Sequence, residues 1–258
     1  QIASLSKKGY LLEKVSHTLD SQQIKRDLDA PFESLHVAIY DSVTSTNDLA
    51  KQFAIQSPGQ AGLFIARKQT QGRGRSGRHF HSDIASGLYL SVVFQPQVTD
   101  LEEVPQYTLL AASSMVAALE AASGQKLRIK WVNDLFCRGR KIGGILTEAT
   151  TDIESRSLSS IIIGIGLNPN QVIHDFLRQL AYYIRTLSDK TYLPHYEEHL
   201  LGVGRQVSYQ QAGQEYTGII QGITDQGHLL IQDPHGQIRT LFSQEVHFSS
   251  QQFADDLD

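Results

Sequence analysis

The chain has 258 residues, 40% hydrophobic and 19% charged, with a formal net charge of −4. That length holds one large domain, or a large and a small one; the composition excludes general disorder, and the charge excludes a molecule that binds nucleic acid through an overall basic surface. Cys137 is the only cysteine, which excludes an intrachain disulfide scaffold.

Residues 1–35 are polar and mixed, with Gly9-Tyr10-Leu11-Leu12 as a short strand. Val37 to Tyr40 is apolar, and Ser42-Val43-Thr44-Ser45-Thr46-Asn47 then supplies candidate helix N-caps. Leu49, Ala50, Phe53 and Ala54 recur at helical spacing until Ser57-Pro58-Gly59. Gly62 to Ala66 and Leu88 to Phe94 read as buried strands, and Leu109, Ala112, Val116 and Leu119 as one face of a helix ended by Gly124. In Leu127 to Val132, alternation puts Leu127, Ile129 and Trp131 on one face, Arg128 and Lys130 on the other.

Lys141 to Thr147 and Leu158 to Ile165 are expected as strands, and Ile173, Phe176, Leu177, Leu180, Ile184 and Leu187 as an amphipathic helix. From about Gly204 short strands alternate with turns such as Asp225-Gln226-Gly227 and Asp233-Pro234-His235-Gly236, a texture that suits a small β-barrel. The expected fold class is therefore α/β (α+β), with a small all-β domain at the C-terminal end. No apolar run is long enough to span a bilayer and the start lacks a signal-peptide core, so a soluble cytoplasmic protein is expected. Residue 1 is Gln and the sole methionine is Met115, so Gln1 is not expected to be the native start.

Charge is distributed unevenly. Arg67, Lys68, Arg73, Arg75 and Arg78 lie in one stretch without an acid, and a second cationic stretch runs from Lys126 to Lys141 against Asp134 alone, which points to anionic ligands held locally. Gly72-Arg73-Gly74-Arg75-Ser76-Gly77-Arg78 formally fits a dinucleotide fingerprint, but the Arg78-His79-Phe80-His81-Ser82 that follows shows no helical pattern, so that reading fails. Alternating Gly and Arg instead lets a backbone approach a phosphate or acyl-phosphate closely while presenting cations. Lys130, inside a strand pattern, needs an anionic partner if it faces inward and none if it faces solvent. His195-Tyr196-Glu197-Glu198-His199 fits an inverted zinc-protease pattern without a third ligand, and reads as the end of a helix. No metal ligand is assigned.

Taken in order, Ser45-Thr46-Asn47, Gln69 with Gly72 to Arg78, Gly87-Leu88-Tyr89-Leu90-Ser91, Lys130-Trp131-Val132-Asn133-Asp134-Leu135, Lys141 to Glu148 and Gly164-Ile165-Gly166-Leu167-Asn168 resemble the biotin–protein ligase family. The resemblance covers about residues 36–258. It implies a class II aminoacyl-tRNA-synthetase-like catalytic domain with a mixed sheet over 36–203 and an SH3-like barrel over 204–258. Residues 1–35 look like the last wing strand of a winged helix-turn-helix, followed by a polar linker.

The implied reaction consumes ATP and biotin, with Mg2+ on the phosphates, and transfers biotin to a lysine of a biotin carboxyl carrier protein. Ser45, Thr46, Asn47, Gln69, Gly72 and Gly74 are implied at the biotin site, with Arg73, Arg75 and Lys130 contacting carboxylate and phosphate as the catalytic cations. Asn133 and Asn168 are implied on the nucleotide side. Implied partners are a second copy of the chain when the adenylate is bound and, for a full-length protein carrying the winged helix-turn-helix, operator DNA; no membrane is implied. Two departures stand out: Val132 replaces the family's usual Pro, and Asn168-Pro169-Asn170-Gln171 runs straight into a helix where the family has a further loop. A chain break near Asn170–Val172 is expected there. A lipoate ligase of the same fold, and a biotin-sensing repressor without catalysis, are the alternatives.

Overall fold

The computed structural model describes residues 2–5, 9–12, 19–75, 87–97, 100–152, 157–167, 172–243 and 245–253. Strands β1 (Ile2–Leu5) and β2 (Gly9–Leu12) form an antiparallel hairpin, so Gly9 to Leu12 is a strand as expected. Residues 19–35 do not form the polar linker that was expected. Asp20 caps the short helix α1 (Ser21–Lys25) by accepting Gln22 N–H at 2.9 Å, and Ile24, Leu28, Phe32 and Leu35 are buried in the main core. Of these only Ile24 lies on the helix; Leu28, Phe32 and Leu35 reach the core from the turns and coil that follow it. Phe32 alone, fully buried edge-on to Phe94, contributes about 1.5–3 kcal/mol.

The large sheet has seven strands: β3 (His36–Val43), β4 (Gly62–Gln69), β5 (Leu88–Phe94), β6 (Arg128–Lys130), β7 (Asp134–Cys137), β8 (Arg140–Thr151) and β9 (Leu158–Leu167). Their order is β3-β4-β5-β9-β8-β7-β6, with β3 and β4 parallel and the other neighbours antiparallel, which makes the mixed sheet that was expected. Helix α2 (Thr46–Gln56) packs on one face, and α3 (Val104–Ser123) with α4 (Ile173–Arg185) on the other. The strand sequences show why. On β4, Leu63 and Ile65 join the α3–α4 core while Phe64 joins Ala50 under α2, and on β9 Ile161 and Ile163 separate from Ile162 in the same way. With both faces covered, β5 is buried along its whole length and is apolar except for Ser91. Gly124, at φ 64°, ends α3 as its sequence suggests.

Helix α5 (Leu193–Glu198) leads into a five-stranded antiparallel sheet made of β10 (Gln206–Gln211), β11 (Gln214–Ile223), β12 (Leu229–Gln232), β13 (Ile238–Leu241) and β14 (Val246–Phe248). The order β13-β12-β11-β10-β14 leaves β13 and β14 at its ends, with no ladder joining them among the described residues, so closure into a barrel is not part of the observed pairing. Val207, Tyr209, Ile220, Leu229, Ile231 and Phe248 belong to the same core as the large domain. Gly227, at φ 83°, sits so close to α3 that an added Cβ would collide with a Leu109 methyl carbon, and its carbonyl accepts the Trp131 indole N–H at 2.9 Å. The two domains are thus fixed to each other.

Candidate functional site

A cavity of about 400 Å3 opens where α2 begins, between the large sheet and the β10–β14 sheet. Ser45, Thr46, Asn47, Gln69, Arg73, Gly74, Arg75, Lys130 and Asn133 all line it, so separate sequence segments converge. Gly72 is buried on the same stretch but is not part of the wall. Asn168 and Ser76 to Arg78 lie outside the described residues, and so do Asn170 and Gln171 of the expected chain break at Asn170–Val172.

Ser45, Thr46, Asn47 and Gln69 make a polar, uncharged part of the wall. Ser45 occupies the N-cap of α2 with φ −157° but makes no side-chain capping bond. The open helix donor is taken by Gln69 instead, whose Oε1 accepts Thr46 N–H at 2.7 Å and lies 3.1 Å from Thr46 Oγ1. Ser91 Oγ, fully buried on β5, stands 2.7 Å from Thr46 Oγ1 and 2.5 Å from Asn47 Oδ1. Asn47 in turn donates from Nδ2 to Glu148 Oε2 at 2.6 Å, and Glu148 Oε1 accepts from Lys51 Nζ at 2.6 Å. Burial pushes the Glu148 carboxyl up, but the hydrogen bonds from Lys51 and Asn47 and the charges of Lys51 and Arg73 outweigh that and leave it below the ordinary carboxylate range. These residues share a face because Glu148, Ile162, Gly164 and Ser91 are ladder partners or second neighbours across β8, β9 and β5. Glycine is required at 164, since a Cβ there would collide with Asn47 Oδ1.

The wall also carries the cations Arg73, Arg75, Lys130 and Lys141. Arg73 is ion-paired with Asp48 in the first turn of α2. Arg75 donates to the Ser243 carbonyl at 2.8 Å and reaches Asn133 Oδ1 at 3.4 Å. Lys130 faces inward, 8% exposed, and donates to the Phe248 carbonyl at 2.9 Å. Lys141, also in the wall, lies 2.6 Å from Asp134. Asn133 is braced by its Nδ2 on the Ile145 carbonyl at 2.7 Å, and Tyr196 O–H donates to the Val132 carbonyl at 3.0 Å. Tyr196 is fully buried, and burial raises its phenol well above the ordinary value, so it stays a neutral donor. The Trp131–Val132 peptide bond is cis.

Several of these residues carry no site signal in the sequence. Ser243, Glu245 and Phe248 enter the wall from the far domain, and Lys51 braces Glu148 from the second turn of α2. Lys141, Gly144 and Glu148 lie within the segment Lys141 to Glu148, but only the fold shows which of them face the cavity. The His195–His199 pair is a stacked core contact, with ring centroids 4.3 Å apart and His199 beside Glu120 at 3.3 Å.

A mixed sheet with helices on both faces, a small β domain across one end and a cationic cavity between them define a two-domain α/β protein built to hold an anion. The chain belongs to the biotin/lipoate A/B protein ligase family, whose model matches residues 39–168, and the model of the biotin protein ligase C-terminal domain matches residues 202–249. It is 31% identical over 277 residues to the bifunctional ligase/repressor BirA of Bacillus spizizenii, covering 95% of this chain and 84% of that one. It is 28% identical over 211 residues to a biotin–[acetyl-CoA-carboxylase] ligase of Mycobacterium tuberculosis, covering 72% of this chain and 79% of that one. Among solved structures, a biotin protein ligase from Aquifex aeolicus in complex with biotin and ATP superposes with a TM-score of 0.67 at 25% identity, covering 83% of this chain and 99% of that one.

Proposed function

We propose that this chain is a biotin–protein ligase that first joins biotin to ATP and then passes biotin to a lysine of a biotin carboxyl carrier protein. The observation that carries the reading is the convergence of Arg73, Arg75, Lys130 and Lys141 on one cavity with the polar Ser45, Thr46, Asn47 and Gln69. In the first step a biotin carboxylate oxygen attacks the α-phosphorus of ATP, the bond from that phosphorus to the bridging oxygen breaks, and pyrophosphate leaves. Two anions must meet, so the main demand is cationic screening in a site closed to water, and the arginines and lysines supply it. Mg2+ is read as part of the nucleotide substrate, bridging its phosphates, with no protein ligand assigned. In the second step the neutral ε-amine attacks the acyl carbon, the carbon–oxygen bond to AMP breaks, and the amine loses a proton. Neither step needs a protein nucleophile.

The assignments read into the site are biotin against Ser45, Thr46, Asn47 and Gln69, the carboxylate–phosphate junction at Arg73, Arg75 and Lys130, and the nucleotide toward Asn133 and Asn168. The protein is read as cytoplasmic and as a homodimer when the adenylate is bound; among the described residues no helix is long and apolar enough to cross a membrane. Operator DNA is read as a partner only for a chain that carries a groove-reading helix, and upstream of residue 36 the described helix is the five-residue α1. The test is to incubate the protein with MgATP, a carrier domain and either biotin or lipoate. Modification of the carrier lysine by biotin is expected, and modification by lipoate alone would overturn the reading.

A further inference from the structure

We infer that Glu148, which does not line the cavity, positions the biotin site by fixing which way the Asn47 amide points. The inference rests on the reading of Thr46, Asn47 and Gln69 as the biotin part of the cavity. A carboxylate only accepts hydrogen bonds, so Glu148 Oε2, 2.6 Å away, binds the amide nitrogen of Asn47 and turns its carbonyl oxygen toward Ser91. Lys51, at 2.6 Å from the other carboxylate oxygen, keeps Glu148 ionised and in place. Among the described residues the charged groups facing Glu148 are Lys51 and Arg73, the latter shared with Asp48.

The consequence is a chain of oxygens that is short of hydrogens. Asn47 Oδ1, Ser91 Oγ, Thr46 Oγ1 and Gln69 Oε1 stand in sequence at 2.5, 2.7 and 3.1 Å. Only the two hydroxyl groups bring a hydrogen, and the Gln69 oxygen cannot be exchanged for its nitrogen because Thr46 N–H already points at it from 2.7 Å. One of these contacts therefore lacks a hydrogen at any moment, and the chain is an acceptor waiting for a donor. The Gln69 amide nitrogen remains as a donor of its own. A ligand with an N–H beside a carbonyl, as in the cyclic urea of biotin, matches that polarity. The exchange Glu148→Gln lets the Asn47 amide turn over. The amide nitrogen introduced by the substitution then donates to the Asn47 oxygen, and the Asn47 nitrogen gives Ser91 the missing hydrogen. The chain is then satisfied without ligand, and the urea N–H loses its acceptor.

The experiment compares wild type and Glu148→Gln by calorimetric titration with biotin, by steady-state kinetics and by thermal unfolding. The variant is expected to bind biotin about tenfold more weakly or worse, the loss of one hydrogen bond to a buried acceptor. KM for ATP and kcat at saturating biotin should stay near wild type, and the unfolding temperature should be unchanged or higher. A wild type that does not bind biotin overturns the reading of the cavity itself. A wild type that binds and a variant that binds equally well, or one that loses kcat and unfolding temperature with no change in KM for biotin, overturns the role of Glu148. If Glu148→Gln does not fold, Lys51→Met decides: it leaves the carboxylate but not its clamp. KM for biotin should then match wild type at pH 8 and rise, relative to wild type, as pH falls toward the carboxylate range; parallel pH profiles overturn the inference.

Discussion

Lys130 serves two purposes at once. Its ammonium group lies in the cavity wall and also donates to the Phe248 carbonyl of the small domain at 2.9 Å. Replacing it with Met keeps the length and removes the charge. Adenylate formation is expected to fall by about 10²–10³-fold, the cost of deleting one donor aimed at developing charge. Stability should drop by about 1–3 kcal/mol because a buried carbonyl loses a donor. Pyrophosphate exchange and denaturant unfolding measure the two effects separately, and wild-type exchange would remove Lys130 from the mechanism. Residues at this scale were legible where they sat in contiguous strings: Ser45 to Asn47, Gln69, Arg73 to Arg75, Lys130 and Asn133 all reach the cavity. Their partners were not. Lys51 and Glu148 are 97 positions apart, and Arg75 and Ser243 168, so those contacts exist only once the sheet and the second domain are assembled.

Elements were easier to read than what they touch. Strands β4, β5, β8 and β9 and helices α3 and α4 follow from apolar runs and helical spacing, because burial on both faces or on one stripe leaves that pattern. Residues 19–35 are hard to read for the opposite reason: Ile24, Leu28, Phe32 and Leu35 are isolated among polar and charged residues, and with only Ser21–Lys25 helical they leave no periodic pattern. The His195-to-His199 segment is a similar case, since its task is structural. The His199 carbonyl accepts Ile129 N–H at 2.7 Å, which holds the end of α5 to the strand that carries Lys130. His195 Nδ1 is buried without a hydrogen-bond partner among the described residues, and burial, then the neighbouring His199, keeps the ring's pKa below the ordinary 6.5. A depressed folded-state pKa means that the unfolded chain takes the proton first. Stability from this group is therefore complete above 6.5 and declines as pH falls from there through the folded value. Unfolding temperature is expected to drop over that range, and His195→Phe to flatten the drop; an identical slope in the variant would contradict the assignment.

Across the whole molecule, the small domain is part of the site rather than an appendage. It supplies the carbonyls that hold Arg75 and Lys130, and the Asp225-Gln226-Gly227 turn docks on α3 with Lys190 ion-paired to Asp225 at 2.8 Å. Gly227→Ala is expected to destabilise the protein by about 1–3 kcal/mol, since it adds a Cβ at positive φ against Leu109. Chemical denaturation measures this, and an unchanged midpoint would show that the turn does not bear on the interface. That the small domain is β was legible from its turns; that it completes the cavity was not, because nothing in Ser243 or Phe248 marks a backbone carbonyl as a partner for a distant cation.

The joining of biotin to the α-phosphate of ATP in this cavity is the step on which the proposed function depends. It is tested most directly by mixing the protein with MgATP and biotin, without any acceptor, and measuring pyrophosphate. Release of about one equivalent per site, retained adenylate and no release without biotin are the expected results; no pyrophosphate with biotin, or equal release with lipoate, would contradict the account.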